Sequence, residues 1–190
     1  MKDSLKMIVV LTLICGVCGF LLAGVRHATA ARIEDQIMEY VKGPAVEAVL
    51  TGVGNNPVQD RRTIRIGDRD VTVFLGKTNG RIESLAFETT ADGFGGEMGV
   101  MVGYDLQKDE LTGIGITSQK ETPGVGARVT QTEFTERFAG KPIDTNFHIA
   151  KDGGQIDALT GATISSRAVC TAVRESAEEF PKIRAAALRQ

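Results

Sequence analysis

Two patterns of apolar residues divide this 190-residue chain. From Met7 to Val25, nineteen residues run without a formal charge between Lys2 and Lys6 on one side and Arg26 and Arg32 on the other. As a helix rising about 1.5 Å per residue, that run covers about 28 Å, close to the hydrocarbon thickness of a bilayer, and it predicts one membrane-spanning helix. Ala28-Thr29-Ala30 also has the small-x-small form of a signal cleavage site. The run is longer than the apolar core of most signals, and Arg26 and His27 separate it from that site, so a retained anchor is favoured. The expected division is an anchor over residues 1–27 and a globular domain over residues 28–190.

Beyond the anchor, Ile33, Ile37, Tyr40 and Val41 fall at helical spacing, predicting a helix from about Ala28 to Leu50 that Gly43-Pro44 should break. The period then shortens. Thr63–Ile66 and Val71–Leu75 alternate around Gly67-Asp68, and Arg81–Thr89 follows Asn79-Gly80, both hairpin signals. Further strands are expected at Met98–Tyr104, Leu111–Thr117 and Asn146–Ala150, a helix at Gln131–Phe138, and a last helix from Ile164 to Phe180 that Pro181 should end or kink. Strands joined by tight turns with few interleaved helices predict an α+β fold with a mixed, largely antiparallel sheet.

Composition narrows the function classes. Charges nearly cancel, 22 Lys plus Arg against 24 Asp plus Glu, which leaves no broad basic surface and argues against a nucleic-acid partner. Three cysteines, of which Cys15 and Cys18 lie in the apolar run, provide neither a disulfide framework nor a four-cysteine metal site. His27 and His148 are too far apart in sequence for a metal pair, Asp60, Asp68 and Asp70 lack calcium-loop spacing, and Gly52-Val53-Gly54 lacks the third glycine of a dinucleotide loop. No metal site and no catalytic residue is assigned. The charges flanking the anchor are too evenly matched to orient it.

Two stretches have a more specific form. Ser118 to Gly126 follows a predicted strand and contains Glu121-Thr122-Pro123-Gly124-Val125-Gly126, where proline fixes one backbone angle and the glycines allow close approach. Such a loop suits a flat or anionic ligand, although by itself it is better explained as a plain surface loop. Asp157-Ala158-Leu159-Thr160-Gly161-Ala162-Thr163-Ile164-Ser165-Ser166 opens the last helix. The unpaired N–H groups of a helix start stabilise an anion, although Thr160 or Thr163 acting as a plain N-cap accounts for the same residues.

Thr160-Gly161-Ala162-Thr163 with its flanks resembles the flavinylation motif of the FMN-binding subunits of ion-pumping redox complexes. Glu121–Gly126 resembles the second signature of those subunits, and Gly93-Phe94-Gly95-Gly96 followed by Met101–Asp105 resembles a third. The order of the motifs, the length and the single anchor are most similar to the G subunit of the Rnf complex; the C subunit of the sodium-pumping NADH:quinone reductase is the second resemblance. The chain departs from the pattern at Gln119, where many members have histidine, and at Ser165, where many have threonine.

The resemblance implies FMN bound covalently through its phosphate to Thr163. The isoalloxazine would lie between the loop carrying Glu121, Thr122, Gly124 and Gly126 and the segment Leu159, Thr160, Gly161 and Ala162. Asp157 would be recognised by a separate flavin transferase, since Thr163 has no activating base nearby in sequence. It further implies an electron-carrying subunit of a membrane complex that couples ferredoxin/NAD electron transfer to cation translocation, with no turnover of its own. Its partners would be the other membrane and redox subunits, and its globular domain would face the periplasmic side of the cell inner membrane. A cofactor-free, membrane-tethered assembly module is the alternative from another class; a free-standing flavin reductase is a third.

Overall fold

The computed structural model describes residues 2–189, which form two compact units, one up to Glu39 and one from Tyr40 onward. The first unit is the helix α1, Lys2–Ile37. Within its segment Lys2–Ala30 an eighteen-residue stretch reaches a mean hydropathy of 2.7 with none of it buried, so the segment is long and apolar enough to cross a membrane.

The predicted break at Gly43-Pro44 takes a milder form. Met38–Lys42 widens into π-helical turns and Gly43–Val49 continues as α2. Pro44 lacks the N–H that an α-turn would direct at the Tyr40 carbonyl, and its ring crowds that carbonyl, so the turn before it opens.

Five strands follow, β1 (Arg61–Ile66), β2 (Arg69–Thr78), β3 (Arg81–Asp92), β4 (Glu97–Asp105) and β5 (Glu110–Ser118). They pair in sequence order, every pair antiparallel, so the expected mixed sheet is a simple meander. Gly67, Asn79 and Gly80 adopt positive φ (62°, 52° and 79°), which right-handed strand twist demands of tight hairpins.

Alternation along the strands gives the sheet two buried faces. Val73, Leu75, Leu85, Phe87, Val100, Val102 and Tyr104 join one core cluster with Val169, Ala172, Val173 and Phe180 of the last helix, α4 (Thr163–Leu188). Small residues at Ala168, Ala172 and Ser176, four apart on one face of α4, let it approach closely: Thr89 donates to the Ala172 carbonyl at 3.0 Å, and the Tyr104 hydroxyl meets Ser176 Oγ at 2.7 Å. Tyr104 stacks on Phe180 with ring centroids 4.2 Å apart. On the opposite face α2 covers β4 and β5, where Gly103 and Gly115 leave room for it. A Cβ on Gly103 would come within 2.9 Å of Val49, and one on Gly115 within 3.1 Å of the Ala45 Cβ. Lys42 ties this helix to Glu88 of β3 at 2.6 Å.

Three local expectations differ from the structure. Asn146–Ala150 is not a strand: the His148 and Ala150 backbone groups bond to Asn146 and Ile156 within their own loop, and the alternation arises because Phe147 and Ile149 are both buried. Residues 131–138 split into a short α3 (Thr132–Thr135) and a 3-10 turn (Glu136–Phe138), with Phe134 and Phe138 packed edge to face. The last helix runs through Pro181 to Leu188. Pro181 lies on the exposed side of the helix, while Phe180 and Ile183 beside it are buried and hold the helix to the core on both sides of the proline.

Candidate functional site

The turn before α4 depends on Gly161, whose φ of 83° favours glycine. Ala162 is the N-cap residue, and no side chain caps the helix, so neither Thr160 nor Thr163 plays the capping role that composition alone allows. The first intrahelical bond runs from Ser166 N–H to the Ala162 carbonyl at 2.9 Å, which leaves the N–H groups of Thr163, Ile164 and Ser165 without helical acceptors. Ser166 Oγ turns back to accept from Leu159 N–H at 3.0 Å and so fixes the approach of the chain.

The loop after β5 packs against this start. Gln119 Oε1 accepts from Glu121 N–H at 2.6 Å, and the Thr122 carbonyl accepts from Val125 and Ala127, folding the loop into a 3-10 turn at Gly126–Thr130. Glu121 is 5% exposed, an unusual depth for a carboxylate, and both its oxygens have partners. Oε1 accepts from Gly95 N–H at 3.0 Å, and Oε2 accepts from Ser165 Oγ at 2.6 Å. Gly93–Gly96 is a closed turn, with Gly93 N–H bonded to the Gly96 carbonyl at 2.9 Å. Three segments distant in sequence therefore meet at one side chain.

Glycine is required at these approaches. A Cβ on Gly126 would lie 2.4 Å from Glu121 Oε2 and 2.7 Å from Ser165 Oγ, and one on Gly95 would lie 1.9 Å from the Lys120 carbonyl oxygen. Above this junction opens a cavity of about 320 Å³ lined by Phe94, Glu121, Thr122, Val125, Gly126 and residues 161–165. Its rim is apolar, with Phe94, Val125 and Ile164 at 70%, 45% and 48% exposed. Thr163, half-buried, stands at the positive end of α4 within the cavity.

Of the residues singled out from sequence, Glu121, Thr122, Gly126, Gly161, Ala162 and Thr163 converge on this cavity. Leu159 belongs to the hydrophobic core, Thr160 is exposed beside the turn, and Gly124, at φ 73°, shapes the loop from outside the lining. Asp157 is exposed on the preceding loop, where its carbonyl accepts from Arg137. Phe94, Val125, Ile164 and Ser165 lie in the quoted motifs, yet sequence alone did not single them out as site residues. The available signal was an aromatic residue, Phe94, set inside a glycine turn where no core position is available.

Other reactive groups belong to the frame. Burial pushes the Cys170 thiol up to about 12, as befits a core residue of α4. A hydrogen bond from Arg167 holds the Asp152 carboxyl below its usual range, an ion pair at 2.6 Å that links the 3-10 turn Ala150–Asp152 to α4.

Residues 93–178, which span the glycine turn, the Glu121 loop and the start of α4, match the family profile described as the FMN-binding domain. The chain is 32% identical to the G subunit of the ion-translocating oxidoreductase complex of Shewanella piezotolerans, over 91% of its own length and 87% of that protein. It is 30% identical to the protein of the same name from Methanosarcina acetivorans, over 93% and 94%. Among solved structures, the C subunit of a Na(+)-translocating NADH-quinone reductase from Parabacteroides distasonis superposes with a TM-score of 0.60 at 19% identity, covering 78% of this chain and 94% of that one, a likeness of fold. On this likeness along almost its entire length, the chain belongs to the family of G subunits of ion-translocating oxidoreductase complexes.

Proposed function

We propose that this chain is the flavin-carrying, electron-transferring subunit of an ion-translocating membrane complex, with FMN esterified through its phosphate to Thr163. The observation that carries the reading is the uncapped start of α4, where Thr163 and the N–H groups of residues 163–165 border a cavity walled by the Glu121–Gly126 loop.

The residues present fit such a group. A phosphodiester at Thr163 retains one negative charge, and the helix start stabilises it by about 0.3–1 kcal/mol if exposed and up to about 2 kcal/mol if partly buried. Phe94, Val125 and Ile164 offer apolar surface to a flat ring, and Thr122, Gly126 and Gly161 bring backbone close to it. When bound, the flavin supplies the electron chemistry; the chain holds it, shields one side and sets its electrostatic surroundings.

Among the described residues no histidine lines the cavity, and both Glu121 oxygens are engaged, so Thr163 has no base to activate it. A separate flavin transferase is the consistent agent, and the exposed Asp157 is accessible to it. Covalent attachment suits a domain on the periplasmic side of the inner membrane, where a dissociated flavin is not replaced, with α1 as the anchor. The complex would couple electron transfer between ferredoxin and NAD to cation movement through its other subunits.

Denaturing electrophoresis of the full chain coexpressed with a flavin transferase tests the linkage. Flavin fluorescence should travel with the wild-type band and be absent from Thr163→Ala; fluorescence retained by that variant would disprove the assignment.

A further inference from the structure

The buried carboxylate of Glu121 has the position of a ligand and the bonding of a clamp. It lines the cavity, yet each oxygen is already taken, Oε1 by Gly95 N–H at 3.0 Å and Oε2 by Ser165 Oγ at 2.6 Å. Gly93, Gly95 and Gly126 each lack the Cβ that would collide with the carboxylate or with the backbone beside it, so three glycines are shaped around this one side chain. The bonds run to two separate segments that line the cavity, one to the 93–96 turn that carries Phe94 and the other to the first turn of α4 that carries Thr163.

We propose that Glu121 is a positioning residue, joining the Phe94 turn to the start of α4 through its two oxygens and fixing a negative charge beside the flavin. This rests on the FMN reading for the flavin's presence, while the clamp itself is a property of the chain. A carboxylate is the apt group because it accepts on both oxygens, and charge-assisted bonds are the stronger ones. Glutamine preserves the geometry, since its oxygen accepts from Gly95 N–H and its amide donates to Ser165 Oγ, but it deletes the charge. A fixed anion near a flavin disfavours the more negative reduced forms, so deleting it raises the midpoint potential.

Two readouts on the full chain test the proposal. The first is amide hydrogen exchange of the peptide containing Gly95, measured in the flavin-free Thr163→Ala background. Glu121→Ala should speed exchange there by about tenfold or more, the loss of one charge-assisted bond, and Glu121→Gln should restore protection. Ser165→Ala, which removes the other bond and leaves Gly95 bonded, serves if the alanine variant at 121 fails to fold: it should loosen the first turn of α4 in the same assay. Unchanged exchange in these variants would overturn the clamp whether or not the chain carries flavin. The second is the flavin midpoint potential of the loaded protein. Glu121→Gln should shift it upward with full loading; an unmoved potential would overturn the charge assignment. A wild-type chain without flavin would refute the FMN reading and leave the exchange result standing.

Discussion

Gly126→Ala isolates the close approach that builds the cavity floor. Gly126 has no left-handed backbone requirement, so the substitution acts through volume. The added methyl would lie 2.4 Å from Glu121 Oε2, 2.7 Å from Ser165 Oγ and 2.9 Å from Glu121 Cβ, against an ordinary contact of 3.4 Å or more. It therefore wedges apart the two partners of a 2.6 Å hydrogen bond, and a retreat of about 1 Å by either breaks that bond. Loss of a buried, charge-assisted bond costs about 1.5–3 kcal/mol and overpacking about 1–3 kcal/mol; because one movement incurs both, the total is about 3 kcal/mol. For a unit of this size that lowers Tm by about 6–12 °C. Gly124→Ala is the control: it meets nothing within 4 Å but sits at φ 73°, so it costs only the strain of about 1–2 kcal/mol. Thermal unfolding of both variants in detergent, with flavin loading measured on the same samples, checks the ranking. A Gly126→Ala protein as stable as wild type, or less perturbed than Gly124→Ala, would refute the packing argument.

Other consequences follow from the frame. Tyr104 is fully buried, and burial pushes its phenol well above the usual range, so the folded state holds it neutral. Its contribution is complete below about pH 10 and is lost as pH rises beyond the unfolded value; Tyr104→Phe should flatten that alkaline loss in pH-dependent unfolding, at a cost of about 1 kcal/mol near neutrality from the unpaired Ser176. Asp152 has the opposite sign. Arg167 lowers its pKa, so its stabilisation is present above the unfolded value of about 4 and disappears as pH falls below it, and Arg167→Met should remove that acid-side component from denaturation curves.

The sheet was legible because each strand carries period-two alternation between turns that glycine or asparagine dictates, as at Gly67 and Asn79-Gly80. Phe147 and Ile149 misled for the same reason: alternation reports burial, and only the hydrogen bonding of the 146–156 loop distinguishes it from a strand. Sequence allows Pro181 either to end or to kink the helix, because it does not tell which side of a helix faces water, and the helix continues. At the site, the motif residues Glu121, Gly126, Gly161, Ala162 and Thr163 could be named from the chain and their two segments set on either side of one ring by resemblance, but the Glu121 side chain that joins them to the Gly93–Gly96 turn could not. The bond from Glu121 to Gly95 spans 26 positions and that to Ser165 spans 44, and no local pattern encodes either.

Peptide mass spectrometry addresses the phosphoester of FMN on Thr163 most directly. The full chain would be coexpressed with a flavin transferase, denatured, digested and sequenced by fragmentation. The expected result is an FMN-sized adduct on the peptide spanning Thr160 to Thr163, with fragments assigning it to Thr163. An unmodified peptide from cells whose transferase modifies a control substrate, or an adduct on Thr160, would contradict it.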